Sequence, residues 1–156
     1  MSNNFSIQQF EILLELYKSS FLNFDSLENL YKVITKAIAS GLNVSRASIW
    51  EVENDKLVCK ILFNSEKESF EKQSELLQTD IPNFFETLQK GIEMVADDAQ
   101  ENKFTNDLKE TYLIPLGIKS ILDLPIRENG KLIGTLCCEH TNKKNGQKMT
   151  FHLLNQ

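Results

Sequence analysis

The chain has 156 residues, enough for one domain with a sizeable core, and 41% of them are hydrophobic. A net charge of −5 and a pI near 5.1 argue against a protein that grips a nucleic-acid backbone through a basic face. No apolar run approaches the ~18 residues of a membrane span, and Met1-Ser2-Asn3-Asn4 lacks a signal-peptide pattern, so a cytoplasmic protein with no membrane partner is expected.

The chain opens on a helical stripe of Ile7, Phe10, Leu13, Leu14 and Tyr17. A second helix is expected with Asp25 as its cap and Glu28 completing a capping box. Leu27, Leu30, Tyr31, Ile34 and Ile38 form its apolar face, and Gly41 suits the left-handed position at its end. From Ser45 the period falls to two. Ser45 to Val52 and Lys56 to Phe63 read as paired strands around the turn Glu53-Asn54-Asp55. The polar stretch Ser65 to Gln78 is expected to contain helix.

Asp80-Ile81-Pro82 reads as the next helix start, with Asp80 as cap and Pro82 in the first turn. That helix runs to Lys90 and stops at Gly91, and Ile92 to Val95 is a short strand. Asp97 to Glu110 is mostly loop and short helix, and Tyr112 to Leu116 is a helical turn near Pro115. Lys119 to Arg127 and Lys131 to His140 form a hairpin around Glu128-Asn129-Gly130. This order predicts an α+β domain on an antiparallel sheet.

Strand parity sorts the chemistry. Ile121, Asp123 and Pro125 share one face of their strand, and Thr135, Cys137 and Glu139 alternate with Leu136, Cys138 and His140 on the next. The purely aliphatic face is expected to meet helices, and the face with Asp123 and Glu139 to meet a pocket. A buried carboxylate needs a partner, either backbone amides or a ligand donor. Trp50, Phe84, Phe85, Phe104 and Tyr112 are candidates for an apolar or stacking wall, with plain core packing as the alternative. Asp97 and Asp98 are more readily turn caps than cation ligands, so no metal is expected. Cys59, Cys137 and Cys138 are odd in number without framework spacing, and read as small packing residues. Cys138-Glu139-His140 brings a thiol near an imidazole, but no orienting motif or Gly-rich oxyanion loop accompanies it.

Several segments, taken in order, carry a family resemblance. Asp80-Ile81-Pro82-Asn83-Phe84-Phe85-Glu86-Thr87-Leu88 resembles the "DYPxYFxAL" segment of GAF domains from bacterial histidine kinases and cyclic-dinucleotide signalling proteins. Val95 to Ala99 resembles their "VADDA" loop, and Tyr112 to Arg127 their "YLRPLGIxSMLDxPIR" segment. Gly134 to His140 is similar to "GVLCxEH". The resemblance runs from about Leu27 to Lys144.

The resemblance implies a GAF/PAS-like, six-stranded antiparallel sheet, with terminal helices on one face and a ligand pocket under helices and loops on the other. It implies a small-molecule-sensing regulatory domain of a bacterial signal-transduction protein, of histidine-kinase type, with no catalysis of its own and no cofactor. The ligand-binding candidates are then Trp50, Phe84, Phe85, Phe104, Tyr112, Asp123, Cys137 and Glu139. The alternatives are a structural dimerisation module with a vestigial pocket, and a cysteine-based enzyme like the GAF domains that reduce free methionine sulfoxide. The adjacency of Cys137 and Cys138 differs from that family's separated cysteines. Nothing between Pro82 and Cys137 supplies a bilin-holding cysteine, and the spacing around Asn102, Lys103 and Phe104 differs from that of cyclic-nucleotide binders.

The chain divides into an N-terminal dimerisation and signalling helix (1–24), a GAF domain (25–145) and an atypical tail (146–156). Phe5, Phe10 and Phe21 exceed what one helix stripe needs, so a homodimer through the N-terminal helices is expected. The family pattern continues past its last strand into a Trp-led helix, which is missing after Asn145. If Asn145 is encoded AAT and Lys148 AAG, a one-base slip at the Asn145 codon rereads as a tryptophan followed by paired aspartates. The tail is therefore expected to be a frameshift product, and the output kinase domain to lie outside this chain.

Overall fold

The computed structural model describes residues 26–141. Helix α1 (Leu27–Leu42) precedes strands β1 (Arg46–Glu53), β2 (Lys56–Asn64), β3 (Ser69–Glu71) and β4 (Leu76–Leu77). Helix α2 (Pro82–Gln89) and β5 (Met94–Ala96) follow, then a 3-10 turn (Asn106–Leu108) and a π-helical turn (Lys109–Leu113). Strands β6 (Ser120–Glu128) and β7 (Lys131–His140) complete the described elements. The strand order is β3-β2-β1-β7-β6-β5, with β4 also pairing with β2, and every pair is antiparallel. The expected α+β class holds, with seven strands rather than six. No helix among the described residues is long and apolar enough to cross a membrane.

The two sheet faces divide as parity predicts. On one face Ala39 and Val44, at the end of α1, pack on Ala47, Phe63, Leu122 and Cys138. On the other, Trp50, Leu57, Ile121 and Cys137 pack beneath Phe84, Phe85 and Leu88 of α2 and Leu108, Tyr112 and Leu113 of the turns. Cys137 and Cys138 thus belong to opposite layers, as alternation along a strand requires.

Four local expectations are corrected. Ser26, rather than Asp25, caps α1: its backbone is extended and its Oγ accepts the Asn29 N–H at 3.2 Å. The helix also runs through Gly41 to Leu42, and Asn43 takes the left-handed position at φ 52°, where its N–H reaches back to Ala39 and Ser40. A short amide side chain tolerates that conformation. Ser65 to Gln78 holds no helix but the short strands β3 and β4, which satisfy backbone groups along the outer edge of β2. Asp80 does not cap α2; Ile81 occupies the cap position without a side-chain bond. Instead Asp107 Oδ2 accepts the N–H groups of Asn83 and Phe84 at 2.8 and 3.0 Å. The segments 1–24 and 146–156, and with them the dimer helix and the tail, lie outside the described residues.

Candidate functional site

β1, β6 and β7 lie side by side, so their inward residues form a continuous floor. Arg46 stands opposite Glu139 in the β1–β7 register, and Asp123 opposite Cys137 in the β6–β7 register. Close approach of β1 and β7 depends on Gly134: a Cβ there would sit 2.3 Å from the carbonyl oxygen of Trp50. Over this floor α2 lowers Phe84, the π-helical turn lowers Tyr112, and β4 contributes Leu76. The result is a cavity lined by Trp50, Leu57, Leu76, Phe84, Leu108, Tyr112, Ile121, Asp123, Thr135, Cys137 and Glu139. About 10 Å³ of it is open to the centre of a water, room for roughly one molecule.

Of the residues singled out in the sequence, Trp50, Phe84, Tyr112, Asp123, Cys137 and Glu139 meet around this cavity. Phe85 and Phe104 are not among its lining residues. Phe85, one position on from Phe84 along α2, is buried in the surrounding core. Phe104 is half-buried at the edge of that core, with the Lys103 ammonium 4.7 Å from its ring centre. Asp97 and Asp98 are exposed, and no cluster of three or more metal-ligating side chains occurs among the described residues.

Two residues of the site are not among the binding candidates named from the sequence: Arg46, and Thr135, which parity alone places on the pocket face. Arg46 shares a strand face with Trp50, and Thr135 shares one with Cys137 and Glu139. A guanidinium on a buried strand face needs a carboxylate, and Glu139 is the inward acid across the ladder.

The polar groups form two linked sets. Arg46 Nε lies 2.9 Å from Glu139 Oε2, both residues buried, although the oxygen sits off the N–H axis. Contact of charges, rather than an aligned hydrogen bond, holds that pair. Tyr112 donates its hydroxyl hydrogen to Glu139 Oε1 at 2.8 Å and accepts from Arg46 Nη2 at 3.2 Å. Cys137 Sγ stands 3.5 Å from the same Glu139 oxygen. In the second set Thr135 Oγ1 lies 2.5 Å from Asp123 Oδ1, while Asp123 Oδ2 is buried without a hydrogen bond.

Burial dominates the ionisation of these groups. It raises Asp123 to about 7, against the lowering effect of Thr135 and Cys137. It also raises Glu139, partly offset by Arg46 and by hydrogen bonds from Tyr112 and Cys137. For Arg46, burial alone lowers the value, but Glu139 and other neighbours carry it above normal. Burial pushes Cys138 up to about 12 and Cys137 well above an ordinary thiol. Both sulfurs are therefore neutral near pH 7, the opposite of what a nucleophilic thiolate needs.

These features define an open-sheet α+β domain with a recess against the sheet. The GAF domain family model matches residues 26–155, and the chain belongs to that family. Such domains are commonly regulatory sensors in signalling proteins, histidine kinases among them, and generally bind ligands rather than catalyse. The phycocyanobilin-bound GAF domain of a cyanobacterial phytochrome is similar at TM-score 0.69 and 19% identity, over 89% of this chain and 83% of that one. The GAF domain of a phosphoenolpyruvate-protein phosphotransferase from Coxiella burnetii gives 0.65 and 16%, over 88% and 81%. A domain ascribed to a two-component sensor histidine kinase of Sinorhizobium meliloti 1021 gives 0.52 and 18%, over 76% of each. At these identities the likeness concerns the fold. No curated protein sequence matches the chain.

Proposed function

We propose that the domain is a small-molecule sensor of a bacterial signalling protein of histidine-kinase type, and that the recess over β1, β6 and β7 is its ligand site. One observation carries this: Asp123 Oδ2 is buried beside an aromatic-walled cavity without a hydrogen bond. An unpaired buried acceptor costs about 1–3 kcal/mol, and a core that merely needed filling would hold an apolar residue there. The outer wall is made of short elements, β4, α2 and the π-helical turn, laid on a sheet of long strands. A ligand entering beneath Tyr112 would select an arrangement with that wall displaced, and the N-terminal helices, paired in a homodimer, would pass the shift to an output domain.

The small size of the cavity favours a second reading, a structural dimerisation module whose pocket is filled by its own side chains. The neutral thiols weigh against a third, a cysteine-based reductase. A thermal-shift screen against pooled bacterial metabolites separates the first two. A ligand at a hundred times its Kd adds about 2.7 kcal/mol of stability, and its effect should vanish in Phe84→Ala. If no pool moves the melting temperature, the structural reading replaces the sensor. Light scattering that shows a monomer at high concentration would remove the dimer from the scheme.

A further inference from the structure

The cavity has more acceptors than hydrogens. Four lining side chains have a hydrogen to give: Trp50, Tyr112, Thr135 and Cys137. Trp50 gives its N–H to Ser48 Oγ at 2.9 Å, and Tyr112 gives its O–H to Glu139 Oε1. Thr135 has one hydrogen for two neighbours, Asp123 Oδ1 at 2.5 Å and the Leu124 carbonyl at 3.1 Å. The Cys137 thiol lies beside both carboxyl groups and has one weak hydrogen. Asp123 is 1% exposed, and its Oδ2 has no hydrogen bond.

That oxygen has two forms. When Asp123 is ionised, Thr135 donates to Oδ1, and Oδ2 is an anionic oxygen that needs a hydrogen from whatever occupies the cavity. When Asp123 is neutral, its proton can sit on Oδ2 and make the acid itself the donor. The ionised form is the one that calls for a donor, and a cation selects it. The charges point the same way. Two carboxyl groups face the cavity, the Arg46 guanidinium is committed to Glu139, and among the described residues no Lys, Arg or His lines the cavity. Trp50, Phe84 and Tyr112 supply rings, whose faces attract cations.

We infer that the recess takes a compact organic cation with N–H donors, an amidinium or a protonated amine on a small or flat apolar body, and that its N–H meets Asp123 Oδ2. It does so with the wall of β4, α2 and the π-helical turn displaced, to admit more than the roughly one water it now fits. The inference rests on the reading of the cavity as a ligand site. The cation replaces the proton that Asp123 otherwise holds, so binding below pH 7 releases a proton.

Two series of matched shape test it: acetamidinium, acetamide and acetate, then benzamidinium, benzamide and benzoate. Trp50 is the only tryptophan and lines the cavity, so its fluorescence reads occupancy directly. The amidinium of at least one series should bind roughly tenfold tighter than its amide, about 1.4 kcal/mol, and the carboxylate should not bind. Asp123→Asn should bring amidinium and amide level. Wild-type titrations from pH 5 to 8 give a second readout if that variant does not fold. Amidinium affinity should rise as Asp123 ionises beside Thr135, Cys137 and the Arg46-paired Glu139, and amide affinity should stay flat. Tighter binding of an amide or a carboxylate overturns the cation while leaving a ligand site in place. Amidinium binding that ignores both pH and Asp123→Asn overturns it too. If all six compounds fail, the cation class is wrong, and the metabolite screen alone then decides whether the cavity binds anything.

Discussion

At the scale of residues, the site is two acids and one base held out of water, and each choice leaves a measurable trace. Asp123 keeps its proton to about pH 7 in the folded chain, against about 3.8 as a free side chain. Between those values the folded state binds more protons than the unfolded one. Stability therefore falls as pH rises through this window, by up to about 1.4 kcal/mol per unit, and levels off above it. Urea titrations at pH 5, 6, 7 and 8 should show this descent, reduced in Asp123→Asn; an unchanged slope in the variant would refute the assignment. Glu139 is shifted the same way, so some slope persists. Arg46→Met strands Glu139 in the core and should cost about 3–5 kcal/mol. Adding Glu139→Leu should recover part of that loss, and simple additivity in the denaturation cycle would mean the pair is not coupled. Asp123, Cys137 and Glu139 were legible in the sequence because alternation along a strand fixes which side chains share a face. Alternation also puts Arg46 on the face of Trp50, but which acid it meets is given only by the β1–β7 register.

At the scale of elements, local signals found the helices and long strands, and tertiary partners set their ends. The period-two runs from Ser45 and Lys119 became β1, β6 and β7 nearly as bounded. The cap of α2 escaped because its acceptor, Asp107, lies 24 residues from Asn83. β3 and β4 escaped because a polar segment acquires strand form only against the edge of β2. Asp107→Ala should cost about 1 kcal/mol and loosen α2, which calorimetry and faster quenching of Trp50 by iodide would both register. Unchanged values would mean that Asp107 merely lies nearby. Gly134→Ala must push β1 from β7, because the new methyl meets the Trp50 carbonyl. A loss of about 1–3 kcal/mol with a shift in Trp50 emission is expected, and a wild-type spectrum would show that the strands yield without disturbing the floor.

At the scale of the molecule, β1 and β7 are inner strands, paired on both sides, while β3 and β5 are three-residue edges. Hydrogen exchange should be slowest in β1, β7 and the inner half of β6, and fastest in β3 and β4. Equal protection across the sheet would contradict this order. The same topology has a consequence for how the protein is made. The floor of the cavity draws Trp50 from the first strand and Cys137 and Glu139 from the last, and Arg46 meets its nearest contact on the wall, Tyr112, across 66 residues. A ribosome that stalls before Lys131 leaves a nascent chain in which β1 and β6 each lack the neighbour that β7 would be, and in which Arg46 has no Glu139. Open strand edges of that kind invite pairing with other chains. No ligand of the recess can rescue such a fragment, because the recess comes into being only when the last strand slides between the two that wait for it.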